Sequence, residues 1–167
     1  MRGVEGGTTG LDDSYAARAF EGVGASIMGR NMFSPLRGPW ANEDWKGWWG
    51  DTPPFKHPVF VLTHHPREPL VKEGGTTFTF VNGFDAALEL AQAAAGEKDV
   101  HVAGGAEAVQ QALASGALDE LQLHVAPVLL GGGTKLFADG AEASVELTRV
   151  ASSPAAAHLT YSVSARA

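Results

Sequence analysis

The sequence predicts an α/β protein with a mostly parallel central sheet flanked by helices and an antiparallel C-terminal hairpin. Two observations lead to this expectation. Apolar runs of β-forming residues alternate with helical patterns between residues 25 and 115, an order that is typical of parallel sheets. Two further strand patterns, Ser144–Ser152 and Ala157–Ser164, have no helix between them, so we expect them to pair antiparallel.

The first elements surround a long loop. A short helix is predicted from Asp12 to Phe20, with side chains in its first turn that could cap it. The strand Ala25–Met28 follows and ends at a Gly-Arg-Asn turn. The segment Phe33–Pro58 contains all four tryptophans and several prolines without a regular period, which predicts a structured lid or binding loop.

The middle of the chain has two continuous apolar runs, Val59–Thr63 and Thr76–Val81, that are typical of strands covered on both faces. Asn82 is expected to cap a helix from Phe84 to Ala95. Gly96 is expected to end that helix. The order of strand, helix and strand supports the parallel sheet.

A pair of glycines is the most informative motif. The stretch from Asp99 to Val109 predicts a strand that passes through Gly104 and Gly105 directly into a helix. Residues without Cβ let a ligand approach the backbone, and the first N–H groups of a helix favour a phosphate. The alternative is a tight turn with close packing of strand on helix, since the fingerprint G-x-G-x-x-G is absent.

The last predicted strands follow that helix. Asp119–Leu130 is predicted to be one long strand interrupted at Pro127. The segment Gly131–Lys135 does not fit a phosphate-binding P-loop, because its lysine does not follow a glycine and no strand-loop-helix frame surrounds it.

Composition limits the class of protein. The chain of 167 residues is long enough for a single domain, which we place at 1–167. It has no cysteine, so thiol catalysis and zinc-thiolate sites are excluded and a cytoplasmic location is expected. The net charge of −7, with scattered Lys and Arg, argues against nucleic acid. Neither a signal peptide in Met1–Gly10 nor a membrane-length apolar run is present, so we expect a soluble protein with a small-molecule ligand and no membrane partner.

Histidines and tryptophans leave alternatives open. His101 and His124 lie on different predicted strands without a carboxylate at ligand spacing, so we expect no metal site there. The tryptophans of the long loop either cap the core or stack on a planar heterocycle.

The order of four motifs resembles the dihydrofolate reductase superfamily, in its bacterial branch related to the reductase domain of riboflavin biosynthesis, the RibD C-terminal domain. The motifs are Ile27–Phe33 (IMGRNMF), Val61–Pro66 (VLTHHP), Val102–Ala106 (VAGGA), and Leu118–Leu121 (LDEL) leading to Ala126–Gly133 (APVLLGGG) and Leu136-Phe137. They cover nearly all of the chain from Ala25 onward. The resemblance implies a dihydrofolate reductase-like fold.

The resemblance also implies a function. It suggests an NADPH-dependent reductase that transfers a hydride to a pterin, a pyrimidine or another heterocycle. The alternative is a catalytically impaired ligand-binding or scaffold protein on the same fold. The implied cofactor contacts are Gly29, Arg30, Asn31, Thr63, His64, Gly104, Gly105, Ala106 and Glu107, and the implied substrate side holds Trp40, Leu129, Leu130 and Gly131.

The role of Arg30 and the choice of cofactor each have an alternative. Arg30 suits a phosphate because a guanidinium binds two oxygens at once, but it could instead pair with a surface carboxylate. Relatives often carry an arginine beside the residue that matches Thr63, whereas His64 and His65 stand here. Because histidine is only partly charged at pH 7, NADH is not excluded as the cofactor.

The start of the chain departs from this family. Members begin with a central strand of the type V-x-x-S-L-D-G, and Met1–Gly10 contains nothing similar. A late start site, a trimmed chain, a strand lent by a neighbouring subunit or a collapsed sheet would each account for this difference. We expect open edges at Val100–Ala103 and Ile27–Met28, and a homodimer that covers them.

Overall fold

A computed structural model describes residues 10–41, 44–137 and 143–164, so predictions for the N-terminal strand region before Gly10 lie outside the described residues. The helices are α1 (Leu11–Arg18), α2 (Arg30–Phe33), α3 (Phe84–Ala95) and α4 (Ala106–Ala114). The strands are β1 (Val23–Gly29), β2 (Pro58–Leu62), β3 (Leu70–Val71), β4 (Thr77–Val81), β5 (Asp99–Val102), β6 (Glu120–Val125), β7 (Ser144–Ser152) and β8 (Ala157–Ser164). No helix in these ranges is long and apolar enough to cross a bilayer.

The central sheet has five strands in the order β3-β4-β2-β1-β5. β1 pairs parallel with both β2 and β5, and β2 pairs parallel with β4, while the two-residue β3 is antiparallel to β4. The mostly parallel sheet predicted from the alternation of strands and helices is therefore confirmed.

The C-terminal strands form a second, antiparallel sheet in the order β6-β8-β7. The hairpin of β7 and β8 has the predicted boundaries and direction. β6 pairs with β8 rather than with the central sheet, so the chain has two sheets where the sequence suggested one.

Helices α3 and α4 cover one face of the central sheet. The core between them contains mostly small and branched side chains: Ala25, Ile27, Phe60, Val81, Phe84, Ala87, Ala91, Ala95 and Ala112. The end of α3 lies very close to β1 at Gly24, where a Cβ atom would be only 2.8 Å from the Ala95 backbone. This close approach requires glycine at that position.

The opposite face of the central sheet is covered by the long loop instead of a helical layer. Four phenylalanines, Phe33, Phe55, Phe78 and Phe80, form a buried aromatic cluster with Met28, Val59 and Val61. Trp40, Trp45 and Trp49 pack on this cluster, whereas Trp48 is 55% exposed. Three of the four tryptophans therefore cap the core, which is one of the two roles that the sequence left open for them.

Three predicted boundaries are wrong. The strand predicted from Asp119 to Leu130 ends at Val125, because Pro127 has no N–H to donate and the residues after it lie exposed. Asn82 does not cap α3: Gly83 is the N-cap residue and no side chain caps the helix. The first helix ends at Arg18 rather than at Phe20.

The predicted open edges are half right. Ile27 and Met28 lie in the middle of the sheet, since β1 is hydrogen-bonded on both sides, so the prediction of an open edge there is wrong. β5 is an edge strand, and among the described residues no strand pairs with its outer side or with the outer side of β6.

Candidate functional site

The carboxyl ends of three parallel strands meet at one edge of the central sheet. β1 ends at Gly29, β2 at Leu62 and β5 at Val102. The Gly29 N–H donates to the Gly104 carbonyl at 2.7 Å, which joins the turn after β1 to the turn after β5. The Thr63 N–H donates to the Val81 carbonyl at 2.8 Å and joins the ends of β2 and β4 in the same way. Ligands of open α/β sheets bind at such an edge.

A cavity of about 280 Å³ lies at this edge. The residues that line it include six of the implied cofactor contacts: Gly29, Arg30, Asn31, Thr63, His64 and Glu107. Arg37, His65 and Asn82 also line it, and no sequence pattern predicts a place there for Arg37 or Asn82. Arg37 lies in the irregular loop, where no periodic pattern shows which way a side chain points.

The two glycines connect β5 to α4. Gly104 has φ +100°, a conformation that L side chains rarely adopt, and the peptide bond between Gly104 and Gly105 is cis. A Cβ atom built on either glycine would meet nothing within 4 Å. Gly105 is the N-cap residue of α4, so Ala106 begins the helix beside open space that a ligand can enter.

Arg30 lies at the centre of the site. Its Nη1 donates to Thr63 Oγ1 at 3.1 Å and to the Gly38 carbonyl at 3.3 Å. Its Nε and Nη2 are buried and have no hydrogen-bond partner among the described residues. No carboxylate of the described residues pairs with it, in contrast to the alternative of a surface ion pair. Burial, and then the charge of Arg67, lower the pKa of Arg30.

Trp40 holds the Arg30 guanidinium by stacking. The Arg30 Cζ lies 3.1 Å from the centre of the Trp40 ring, and the Arg67 Cζ lies 4.1 Å from it. The indole Nε1 donates to the His65 carbonyl at 2.6 Å. Trp40 therefore lies beside the implied phosphate contact, and the substrate-side role that the resemblance implies for it stays a prediction.

The paired histidines have different surroundings. His64 is exposed, and its Nδ1 lies 3.1 Å from Asn82 Oδ1. An amide oxygen only accepts hydrogen bonds, so in this arrangement Nδ1 carries the proton. The His65 N–H donates to Thr63 Oγ1 at 3.1 Å, which holds the turn after β2 against Arg30.

Glu107 brings a negative charge to the cavity. It is exposed in the first turn of α4 and lines the same space as Arg30. A carboxylate repels a phosphate but accepts hydrogen bonds from sugar hydroxyls. Its chemistry is therefore suited to a ribose hydroxyl.

The implied substrate-side loop does not line the cavity. Leu129, Leu130 and Gly131 are exposed, and the exposed fractions of the two leucines are 102% and 83%. A hydrogen bond of 2.9 Å from Gln110 Nε2 to the Lys135 carbonyl attaches the later part of this loop to α4. The site therefore brings together most of the implied cofactor contacts but not these three residues.

The two histidines singled out in the sequence lie elsewhere. His101 is on β5, where burial lowers its pKa and its buried Nδ1 has no partner. His124 is on β6, with its Nδ1 2.8 Å from the Nδ1 of His158. The sequence did not indicate this pair, because the strand register brings together residues 34 positions apart.

Comparison with known proteins agrees with this geometry. The family model of the RibD C-terminal domain matches residues 3–159. A structure assigned to riboflavin biosynthesis in a Shewanella species is 22% identical with a TM-score of 0.65, over 94% of this chain and 83% of that chain. A pyrimidine reductase-like protein of Corynebacterium diphtheriae is 16% identical with a TM-score of 0.59, and the match covers 98% of this chain and 85% of that chain.

A third similar structure is larger. It is a diaminohydroxyphosphoribosylaminopyrimidine deaminase/5-amino-6-(5-phosphoribosylamino)uracil reductase of Thermotoga maritima, with 11% identity and a TM-score of 0.53. The match covers 92% of this chain and 48% of that one. No curated protein sequence matches this chain. Likeness to structures at these identities supports the fold, and the family model spans nearly the whole chain: the protein belongs to the RibD C-terminal domain family.

Proposed function

We propose that the protein is a reductase that binds NADPH at the cavity and transfers a hydride to a pyrimidine. One observation carries the proposal: among the described residues, the buried Nε and Nη2 of Arg30 have no acceptor, and Arg30 lines a cavity together with Gly29, whose N–H is bonded to the Gly104 carbonyl. Leaving charged donors unpaired costs free energy, and a phosphate would supply the missing acceptors.

The residues present fit a dinucleotide. Arg30 would hold a phosphate, the turn at Gly104 and Gly105 would let it approach the backbone, and Glu107 would accept from a ribose hydroxyl. The nicotinamide supplies the hydride when it is bound. Since Nε and Nη2 are shielded from solvent, an anion reaches them only after a small movement of Arg30 or of the groups that cover it.

A pyrimidine is favoured over a pterin or another heterocycle by family membership. The Thermotoga maritima structure bears the name of a uracil reductase, and the Corynebacterium diphtheriae structure is called pyrimidine reductase-like. NADPH is favoured over NADH because Arg30, Arg37, His64 and His65 line one cavity, and extra phosphate charge benefits from these neighbours.

The exposed loop after β6 supports a second candidate function. Leu129 and Leu130 are exposed and do not line the cavity, so in one chain the loop implied for the substrate lies apart from the cavity that we propose for the cofactor. We propose that the active form is a homodimer in which this loop is covered. Binding of NADPH without turnover, in a ligand-binding or scaffold protein, is the alternative.

The test is a calorimetric titration of the protein with NADPH and NADH. We expect NADPH to bind more tightly, and Arg30→Gln to weaken NADPH binding by about 1.5–3 kcal/mol, the usual value of a hydrogen bond to a charged group. Arg149→Gln is the matched control, because it removes the same charge on β7, away from the cavity.

An activity assay then distinguishes a reductase from a protein that only binds NADPH. It follows the loss of reduced-nicotinamide absorbance when an aminated, ribosylated pyrimidine is added. Turnover with wild type and its loss in Arg30→Gln would support the reductase. A wild-type protein that binds neither cofactor, or an equal loss in Arg149→Gln, would contradict the proposed site.

A further inference from the structure

Trp40 connects three parts of the candidate site. The Arg30 Cζ lies 3.1 Å from the centre of its ring, and its Nε1 donates to the carbonyl of the cavity-lining His65. The ring also contacts Phe33 and Phe80 in the buried aromatic cluster. The indole is therefore fixed by the core on one side and touches the cation on the other.

Arg30 has few other restraints. Within the described ranges only its Nη1 makes hydrogen bonds, and both acceptors, Thr63 Oγ1 and the Gly38 carbonyl, lie near that one end of the guanidinium. Stacking on an aromatic face fixes the plane of a guanidinium, so its N–H groups stay in that plane. Without the ring, the plane could rotate about the Nη1 end.

We propose that Trp40 is a positioning residue for phosphate binding: its indole face fixes the plane in which Nε and Nη2 of Arg30 meet a phosphate oxygen pair. Arg67 stacks on the same ring at 4.1 Å and, through its Nη2, donates to the Trp45 carbonyl at 2.6 Å, so it ties the ring to the rest of the loop. This inference rests on the proposed function, because it assumes that Arg30 binds a phosphate.

Two variants of Trp40 isolate the aromatic face. Trp40→Phe and Trp40→Leu both lose the hydrogen bond to the His65 carbonyl, but only phenylalanine keeps a face on which a guanidinium can stack. In calorimetric titrations with NADPH we expect Trp40→Leu to bind about 5- to 20-fold more weakly than wild type, and Trp40→Phe to remain within about threefold. Trp45→Leu is the control, because Trp45 also packs on the aromatic cluster but does not touch Arg30.

A double-mutant cycle separates positioning from folding. If Trp40 acts through Arg30, Trp40→Leu causes no further loss of NADPH affinity in the Arg30→Gln background. Melting temperatures of all variants show whether any of them is merely unfolded. Additive losses, equal affinities of Trp40→Phe and Trp40→Leu, or tighter binding by Trp40→Leu would overturn the inference. Wild type that does not bind NADPH would instead overturn the proposed function on which it rests.

Discussion

At the scale of single residues, Arg30 is a cation to which the described residues give no carboxylate partner. Its buried Nε and Nη2 have no acceptor among those residues, so folding carries a desolvation cost, which stacking on the Trp40 ring reduces. The core does not need a charged group at this position. A group that is unfavourable for stability and lies in a cavity is a common feature of binding sites.

Gly105 allows a direct test of the phosphate approach. A Cβ here would meet nothing within 4 Å in the structure, so a side chain fills only space that a ligand would use. We expect Gly105→Val to weaken NADPH binding by about 1–3 kcal/mol, because a branched side chain blocks the hydrogen bonds between phosphate and backbone. Calorimetric titration measures the change.

The matched control is Gly132→Val. Gly132 also has open space around its Cβ position, but it lies in the exposed loop after β6 rather than at the start of a helix. Melting temperatures of both variants show whether the backbone accepts valine. Equal affinity of Gly105→Val and wild type for NADPH would show that no phosphate approaches this turn.

At the scale of elements, a chain of polar contacts attaches α1 to the second sheet. The His158 Nε2 lies 2.7 Å from Asp12 Oδ1, and the Ser153 hydroxyl donates to Asp12 Oδ2 at 2.8 Å. The two Nδ1 atoms of His158 and His124 are 2.8 Å apart, and the Tyr15 ring stacks on His158 at 4.0 Å. Helix α1 thus contacts β6 and β8 through groups that titrate.

Proton counting shows how this contact depends on pH. The Nδ1-to-Nδ1 contact needs a single proton between the two nitrogens, because one ring must donate and the other must accept. Burial and then the charge of His158 lower the pKa of His124, and the hydrogen bond from His158 is the main cause that lowers the pKa of Asp12. Arg18, near the Tyr15 ring, and Glu120 and Arg149, which line a small hollow with Tyr15, are the other charged groups beside it.

The free energy of unfolding should therefore decrease as the pH is lowered. A lowered folded pKa means that the unfolded chain binds the proton first, so His124 stabilises the fold above pH 6.5 and this contribution is lost as the pH falls toward its lower folded pKa. Asp12 adds a second loss below pH 3.8. His57 and His101, whose pKa values burial also lowers, act in the same direction as His124.

We expect His124→Gln to reduce the slope of unfolding free energy against pH between pH 7.5 and 5, because glutamine donates to His158 at any pH. The reduction should be well below about 1.4 kcal/mol per pH unit, since His124 is exposed and solvent screens its charge. Urea unfolding at several pH values measures the slope. Gln122→Ala, on the same face of β6, should keep the wild-type slope, and an unchanged slope in His124→Gln would contradict the role of the pair.

The sequence predicted elements better than contacts. Apolar runs and glycines located the sheet, the hairpin and α3, because these patterns depend on burial within one segment. The stack of Arg30 on Trp40 and the pairing of His124 with His158 depend on register and on an irregular loop, and no local period reports either of them. The end of β6 was missed because Val128, Leu129 and Leu130 continue an apolar pattern although they lie exposed.

At the scale of the whole molecule, one face of β7 carries apolar side chains that are exposed in the part of the chain that the structure describes. Helix α1 lies on the face with His124 and His158, while Val145, Leu147 and Val150 point to the other face. The bulge at Thr148 keeps Val150 in phase with the first two, since these three residues pair with Val163, Tyr161 and Leu159. All three are at least half exposed.

Exposed apolar patches of this kind commonly mark protein interfaces. The outer edges of β5 and β6, which no strand of the described residues pairs with, add backbone groups that can hydrogen-bond to another chain. Leu129 and Leu130, in the loop after β6, are also exposed. We expect a second copy of the chain to cover the exposed face of β7.

The prediction is that the protein dimerises through this face. Sedimentation or light scattering over a range of concentrations should show a dimer, and replacing Val145 and Val150 together by lysine should shift it to the monomer, because charges on an apolar interface lose their hydration. Val71→Lys is the control, since Val71 is 80% exposed on β3, in the other sheet. If the substituted protein still dimerises, the contact uses another surface, and a wild type that stays monomeric at every concentration would show that this face is stable in water.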